Sequence, residues 1–284
     1  MAKDKRVKNL KGMEQLILDI KPNRSVSDVY INQKMDLTNL VKYVDKRKKD
    51  GESITYFYAF LAAIGKVLYN RPKLNRYIRN RHVFEHHDVV ISFVAKVAFE
   101  DQSEEIMVMV PIDPDDNINT IAKKVIEKIN TMRYKEVKKE GANDAIDIIG
   151  KLPNIIRVPL VGLLKWTDKK GILPSSLTKD NLYYSSMIVS NLGSIKCGAI
   201  YHNITDFGHC SSLATMGEIK KEEIINEKGK KEIKDICEFG INFDERVADG
   251  YYFAKSVKML QYLFDNPKLL EENASKEVNM EELR

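Results

Sequence analysis

The spacing of apolar and polar positions changes along the chain, and the changes mark its elements. Val26 to Ile31 suits a strand, and Met35-Asp36-Leu37-Thr38 opens a helix running through Val41 and Val44 toward Lys46-Arg47-Lys48-Lys49. Asp36 and Thr38 are both helix-capping residue types. After Thr55, Phe57, Phe60, Leu61, Ile64 and Leu68 recur at helical spacing. Asn70-Arg71-Pro72 ends that helix, because a residue before proline is pushed out of the α region. Val83-Phe84, Val89 to Ala98 and Ile106 to Ile112 are β-rich runs between polar turns. Asn117 to Lys135 reads as an amphipathic helix with Ile118, Ile121, Val125, Ile129 and Met132 on one side. Ser185 to Leu192, Ala199 to Ile204 and Leu213 to Glu218 read as strands, and a turn at Glu227-Lys228-Gly229 leads into another from Ile233 to Phe243. Asp249-Gly250 breaks that strand. A last helix begins near Tyr251, with Phe253, Val257, Leu260 and Phe264 on one face, and stops at Asn266-Pro267. No internal repeat or low-complexity linker interrupts this order, so residues 1–284 are expected to form a single α/β domain.

Composition narrows the function classes. Hydrophobic content of 43% and charged content of 31% are those of an ordinary globular chain. The net charge of +5 is a small excess of 46 basic over 41 acidic residues. The basic clusters lie beside acidic ones and read as solvated faces, so no nucleic-acid partner is expected. Cys197, Cys210 and Cys237 form no C-x-x-C pair and leave an odd count, which suits a reducing compartment. The polar start Met1 to Arg6 has no signal-peptide core, and the apolar run Ile54 to Gly65 is shorter than the roughly 20 residues a membrane span needs. A cytoplasmic chain without a membrane span is the expectation. No Gly-rich phosphate loop is present, which leaves nucleotide hydrolysis unsupported. His82-x-x-x-His86-His87 has zinc-like spacing but runs straight into a strand and lacks a clear further ligand, so these histidines are expected to be structural.

Phe243-Asp244-Glu245-Arg246-Val247-Ala248-Asp249-Gly250, at the strand-to-helix corner, resembles the D-H-R-V-x-D-G signature of the 2-oxo acid dehydrogenase acyltransferases. It is also similar to the H-H-x-x-x-D-G of the chloramphenicol acetyltransferases, which share their fold. Further matches follow in order along the chain. Asp36-Leu37-Thr38-Asn39-Leu40 resembles the D-V-T-x-L helix start, Pro72-Lys73-Leu74-Asn75-Arg76 the P-x-L-N-A turn, and Val110-Pro111-Ile112-Asp113 the V-P-V-I step. Ser190-Asn191-Leu192-Gly193 matches S-N-L-G, and Asn266-Pro267-Lys268-Leu269-Leu270 resembles N-P-x-x-L. The resemblance implies a chloramphenicol acetyltransferase-like two-layer sandwich, a mixed sheet with helices packed on it, assembled as a homotrimer.

The resemblance also implies the chemistry. The motif histidine of that family is the general base toward the acyl acceptor, and Glu245 holds its position here. Ser190 would donate to the oxyanion from a neighbouring subunit, and Asp249 would organise the site, with Arg6 as its candidate partner. The co-substrate would be a coenzyme A or related thioester, with a small-molecule acceptor. A thiol near pKa 8.5 gives up its proton to a glutamate near 4.3 at a cost about 3 kcal/mol greater than to a histidine near 6.5, on the order of a hundredfold in rate. Burial can recover part of that difference. His202, with Asp206 four residues on, and His209 beside Cys210 are alternative base candidates; loop residues holding a turn account for them equally. Two departures from the family stand out. Residues 138–181 read as an added segment, expected to form short helices covering the core or else a lid or apolar partner surface. No lipoyl domain, subunit-binding domain or Ala/Pro-rich tether is recognisable. An acyltransferase with altered base chemistry and a non-catalytic trimeric scaffold are therefore the two leading readings, with a different hydrolase or transferase centred on His202 or His209 behind them.

Overall fold

The computed structural model describes residues 4–96, 105–137, 148–179, 181–226 and 228–279. Its strands are β1 (Lys5–Arg6), β2 (Asp28–Asp36), β3 (Arg76–Arg79), β4 (His82–Glu85), β5 (Val89–Lys96), β6 (Glu105–Ile112), β7 (Met187–Asn191), β8 (Ser212–Ile225) and β9 (Lys231–Asp244). Six of them form a mixed sheet in the order β2-β9-β8-β7-β5-β6, and a three-stranded sheet, β1-β4-β3, stands beside it. β7 runs parallel to both β5 and β8; the other pairs are antiparallel.

The helices are α1 (Gly12–Ile20), α2 (Thr38–Lys49), α3 (Tyr56–Asn70), α4 (Ile118–Val137), α5 (Asn154–Lys170) and α6 (Gly250–Asp265). α2, α3, α4 and α6 make one layer on the large sheet. α3 is apolar nearly all round and is buried from Ala59 to Leu68, as a helix must be when it lies between sheet and neighbouring helices. Thr55 Oγ1 caps it by accepting from Tyr58 N at 3.1 Å. Phe57 meets Phe93 edge-on, and Phe60 meets Phe239 with ring centroids 5.3 Å apart. Fully burying such side chains contributes about 1.5–3 kcal/mol each.

Strand alternation divides the sheet into two faces. Phe239, Ile241 and Phe243 of β9 face the helices, whereas Gly240 and Asn242 face a covering segment, residues 197–204. That segment was expected to be a strand over Ala199 to Ile204, yet it has no ladder. Its backbone lies across β8 and β9 and bonds to their side chains: Thr215 Oγ1 donates to Ile200 O at 2.5 Å, and Asn242 Nδ2 to His202 O at 2.7 Å. The approach is close enough that a Cβ on Gly217 would sit 2.7 Å from Ala199 N.

The added segment also differs from the expectation that its helices cover the core. Residues 138–147 and 180 of it lie outside the described chain. α5 turns its apolar side chains outward, with Ile155 84% and Leu163 55% exposed. α1, which the periodicity did not predict, buries Leu18 and leaves Met13, Leu16 and Ile20 exposed.

Candidate active site

The corner after β9 is held by its own backbone and by a buried ion network. Asp244 N donates to Ser211 O at 2.9 Å, Glu245 N to Ser27 O at 3.0 Å and Val247 N to Asp244 O at 3.1 Å. Asp249 caps α6, accepting from Tyr252 N at 2.8 Å. Asp244 is fully buried and accepts from Arg246 Nε at 2.8 Å, Nη2 at 2.6 Å and backbone N at 3.1 Å. Arg24, from the turn between α1 and β2, places Nε 3.8 Å from the same carboxylate and donates to the carbonyls of Thr205 and Gly208. Burial pushes the Arg24 guanidinium below its ordinary pKa, and Asp244 opposes that most strongly. Arg246 Nη1 also reaches Lys21 O at 3.1 Å. The carboxylate and guanidinium flanking Glu245 thus stitch the corner to the segment before β2.

Glu245 itself is half-buried and ion-paired with Lys21. Ser190, half-buried on β7, sits opposite Thr215, which in turn sits opposite Gly240. Glu245 lies five residues beyond Gly240. Five residues at about 3.3 Å, across two strand spacings of about 4.8 Å, put Ser190 and Glu245 roughly 19 Å apart within one chain. Their side chains therefore do not share a site in the monomer.

The remaining candidates take other places. His202 is exposed, and its carbonyl receives Asn242. Asp206 accepts from Arg24 N at 2.8 Å, so the proposed His202–Asp206 unit is replaced by a backbone anchor. Arg6 meets His82 Nδ1 at 3.1 Å in the small sheet, in place of the expected contact with Asp249. Cys210 donates to Ser212 O at 3.1 Å, and burial pushes its thiol up. His209 stacks on Tyr77 with ring centroids 4.0 Å apart, beside Tyr184 and His86. Burial drives its imidazole down to about 2, with His86, Arg79 and Arg24 adding to the effect. Both shifts oppose a thiolate–imidazolium pair. Burial also lowers His86, opposed chiefly by Asp4, whose Oδ2 lies 3.6 Å from His86 Nδ1.

Three neighbours of the corner have no signature in the sequence: Lys21, Arg24 and Asp28. Asp28 pairs across from Asp244, and burial raises its carboxyl. Its Oδ1 is buried without a hydrogen-bond partner. An open groove of about 480 Å³ begins at Gly250 and runs between β2 (Val29, Ile31, Gln33) and α6 (Ala254, Lys258). No three His, Cys, Asp or Glu side chains among the described residues are grouped to hold a metal.

The profile of the 2-oxoacid dehydrogenases acyltransferase (catalytic domain) family matches residues 172–271, which span β7 to α6 and include the corner. A probable dihydrolipoamide acetyltransferase of Listeria monocytogenes superposes with a TM-score of 0.59 at 17% identity, covering 92% of this chain and 94% of its own. The cubic core of a pyruvate dehydrogenase multienzyme complex gives 0.59 at 13% identity, with 93% of each chain covered. A chloramphenicol acetyltransferase gives 0.54 at 11% identity, over 92% of this chain and all of that one. The fold is chloramphenicol acetyltransferase-like. No curated protein matches the sequence. The matched region carries both Ser190 and Glu245.

Proposed function

We propose that the protein is an acyltransferase that takes an acyl group from a coenzyme A or related thioester, at a site completed between subunits of a homotrimer. The observation that carries this reading is the separation of Ser190 from Glu245. Both lie in the acyltransferase-like region, yet strand register holds them roughly 19 Å apart in one chain, as expected for residues that meet across an interface. A similar structure is the core of a multienzyme complex, which agrees with assembly. In the proposed reaction the acceptor's thiol or hydroxyl attacks the thioester carbonyl. Glu245 accepts the acceptor's proton, and Ser190 Oγ of a neighbouring subunit donates to the oxyanion. Collapse breaks the bond to coenzyme A sulfur, and the proton passes from Glu245 to the departing thiolate. Asp249 keeps the corner in shape as the cap of α6. The groove starting at Gly250, at about 480 Å³, falls in the volume range of small-molecule sites and is where an acyl or pantetheine chain would lie.

One observation favours the second reading, a non-catalytic trimeric scaffold: Glu245 is paired with Lys21. The Lys21 ammonium engages the carboxylate that would have to take the acceptor's proton. The experiment measures thiol release from acetyl-coenzyme A with thiol and hydroxyl acceptors, for the natural protein and Glu245→His. The variant should be faster by up to about a hundredfold, the difference in basicity between the two side chains. Ser190→Ala in that background should reverse the gain. If calorimetry detects no coenzyme A binding to either form, the scaffold reading replaces the enzymatic one. A monomer at micromolar concentration in sedimentation would remove the shared site.

A further inference from the structure

The outward face of α5 carries a row of exposed apolar side chains. Ile155, Pro159, Gly162, Leu163 and Trp166 follow one another at intervals that keep them on a single stripe. Ile155 is 84%, Leu163 55% and Trp166 52% exposed. Val158, at 66%, widens the stripe on one side. Among the described residues of α5, the exposed charges beside the stripe are all of one sign. Lys165 and Lys169 border the stripe, and Lys170 stands at its end with its ammonium 5.9 Å from the Trp166 ring. Asp168, the acidic residue of this helix, points the other way. It is buried, accepting from Tyr184 Oη at 2.7 Å and Gly208 N at 3.0 Å. That bond pair anchors the C-terminal end of α5 to the body, and Gly171 stops the helix in a left-handed conformation at φ 69°. Arg157, on the anchored side, is occupied by Gly150 O and Asn154 Oδ1.

The chemistry of the stripe selects its occupant. α1 also exposes an apolar row, Met13, Leu16 and Ile20, but acidic Glu14 and Asp19 are interleaved with it, which suits a protein partner of mixed charge. α5 exposes apolar side chains, a tryptophan and lysines without an exposed carboxylate, the pattern of a helix lying in the headgroup layer of an anionic bilayer. The tryptophan ring suits the interface between headgroups and acyl chains, and lysine stems extend along apolar surface with the ammonium in water. At about 1.5 Å per residue the stripe from Ile155 to Trp166 is about 17 Å long. None of the described helices is long and apolar enough to cross a membrane. We infer that α5 docks the protein peripherally on an anionic lipid surface, with Ile155, Leu163 and Trp166 inserted and Lys165, Lys169 and Lys170 on the headgroups.

Trp166 is the protein's one tryptophan, so its fluorescence reports on this helix directly. The full chain is titrated with vesicles of phosphatidylcholine containing about 30% phosphatidylserine, and with vesicles of phosphatidylcholine alone, followed by flotation. The expected result is a blue shift and co-flotation with the anionic vesicles, weakened by salt, and little with the neutral ones. Each cation near such a surface is worth about fivefold in affinity, so reversing all three lysines (Lys165→Glu, Lys169→Glu, Lys170→Glu) should weaken binding at least tenfold. Leu163→Asp should weaken it while leaving the melting temperature unchanged, because Leu163 is exposed. Absence of a shift with anionic vesicles, or equal binding to both compositions, overturns the inference. So does Trp166 emission that is already blue without lipid and moves to the red on dilution as the mass falls; a second copy then covers α5.

Discussion

Lowering the pH should weaken this protein through His209, by an amount the structure sets. Its imidazole is 14% exposed, lies between Tyr77, Tyr184 and His86, and is held neutral with a pKa of about 2. Asp168 at 3.8 Å and Asp4 at 4.0 Å would favour its protonation. Their oxygens are already engaged, however: Asp168 accepts from Tyr184 and Gly208, and Asp4 from Tyr77. Arg79 and Arg24 add repulsion, and burial dominates. In the unfolded chain the same histidine titrates near 6.5. Because the folded pKa is depressed, the unfolded state takes up a proton below about pH 6.5 and the folded state does not. Stability is thus retained above that pH and falls by about 1.4 kcal/mol for each unit below it. Between pH 7.5 and 4.5 the loss from His209 alone is about 2.7 kcal/mol, a fall in melting temperature of about 5–11 °C for a chain near this size. The assay is a set of thermal melts across that range for the natural protein and His209→Gln. The variant loses the ring contact and starts lower, but its melting temperature should fall less steeply with pH, because the common carboxylates cancel in the comparison. Parallel pH profiles for the two proteins would refute a buried neutral imidazole.

Three further outcomes test the corner and the covering segment. Asp244→Asn leaves the buried guanidiniums of Arg246 and Arg24 without their shared carboxylate and should cost about 3–5 kcal/mol in denaturant unfolding; a loss below about 1 kcal/mol would show that the network is not a structural centre. Gly240→Ala puts a Cβ against the Ile200 carbonyl and 2.8 Å from Thr215 Oγ1, so it should destabilise by about 1–3 kcal/mol and speed amide exchange in residues 197–204. Asp249→Ala removes the cap of α6 and should cost about 1 kcal/mol in the same unfolding assay, with Asp249→Ser restoring most of it.

The parts legible in the sequence are those where one local signal agrees with one packing role. α3 has apolar spacing and a proline stop, and both operate as read; its threonine cap is added by the structure. The corner was legible because Asp249 caps a helix whose apolar face begins four residues later at Phe253. The far half of β8 was not. Past a register shift between Met216 and Ile219 the strand leaves the core as an exposed ribbon with β9, and Lys220 to Ile225 have no buried face to impose alternation. Residues 199–204 showed strand-like composition, yet their backbone bonds to side chains of the sheet, which no periodicity records. Of the candidate site residues, Ser190, Glu245 and Asp249 are found through motif resemblance. Lys21, Arg24 and Asp28 come from a segment distant in sequence, brought to the corner by the pairing of β2 with β9 and by the bonds of Lys21 and Arg24 to it.

That pairing fixes the order in which the molecule can come together. β2 is matched to β9 along its whole length, from Asp28 opposite Asp244 to Asp36 opposite Ile236, so an early strand waits for a late one. The strands in the middle of the sheet, β7, β8 and β9, are made after nearly everything they support. At roughly 5–20 residues per second, the roughly 175 residues from the end of α3 to the end of β9 occupy the ribosome for on the order of 10–35 s. Throughout that interval α3, apolar almost all round, has no completed sheet to lie on. The nascent chain therefore carries its greasiest helix uncovered, a natural client for a holding chaperone, and a chain that stops short of β9 has a helix layer with nothing to close it.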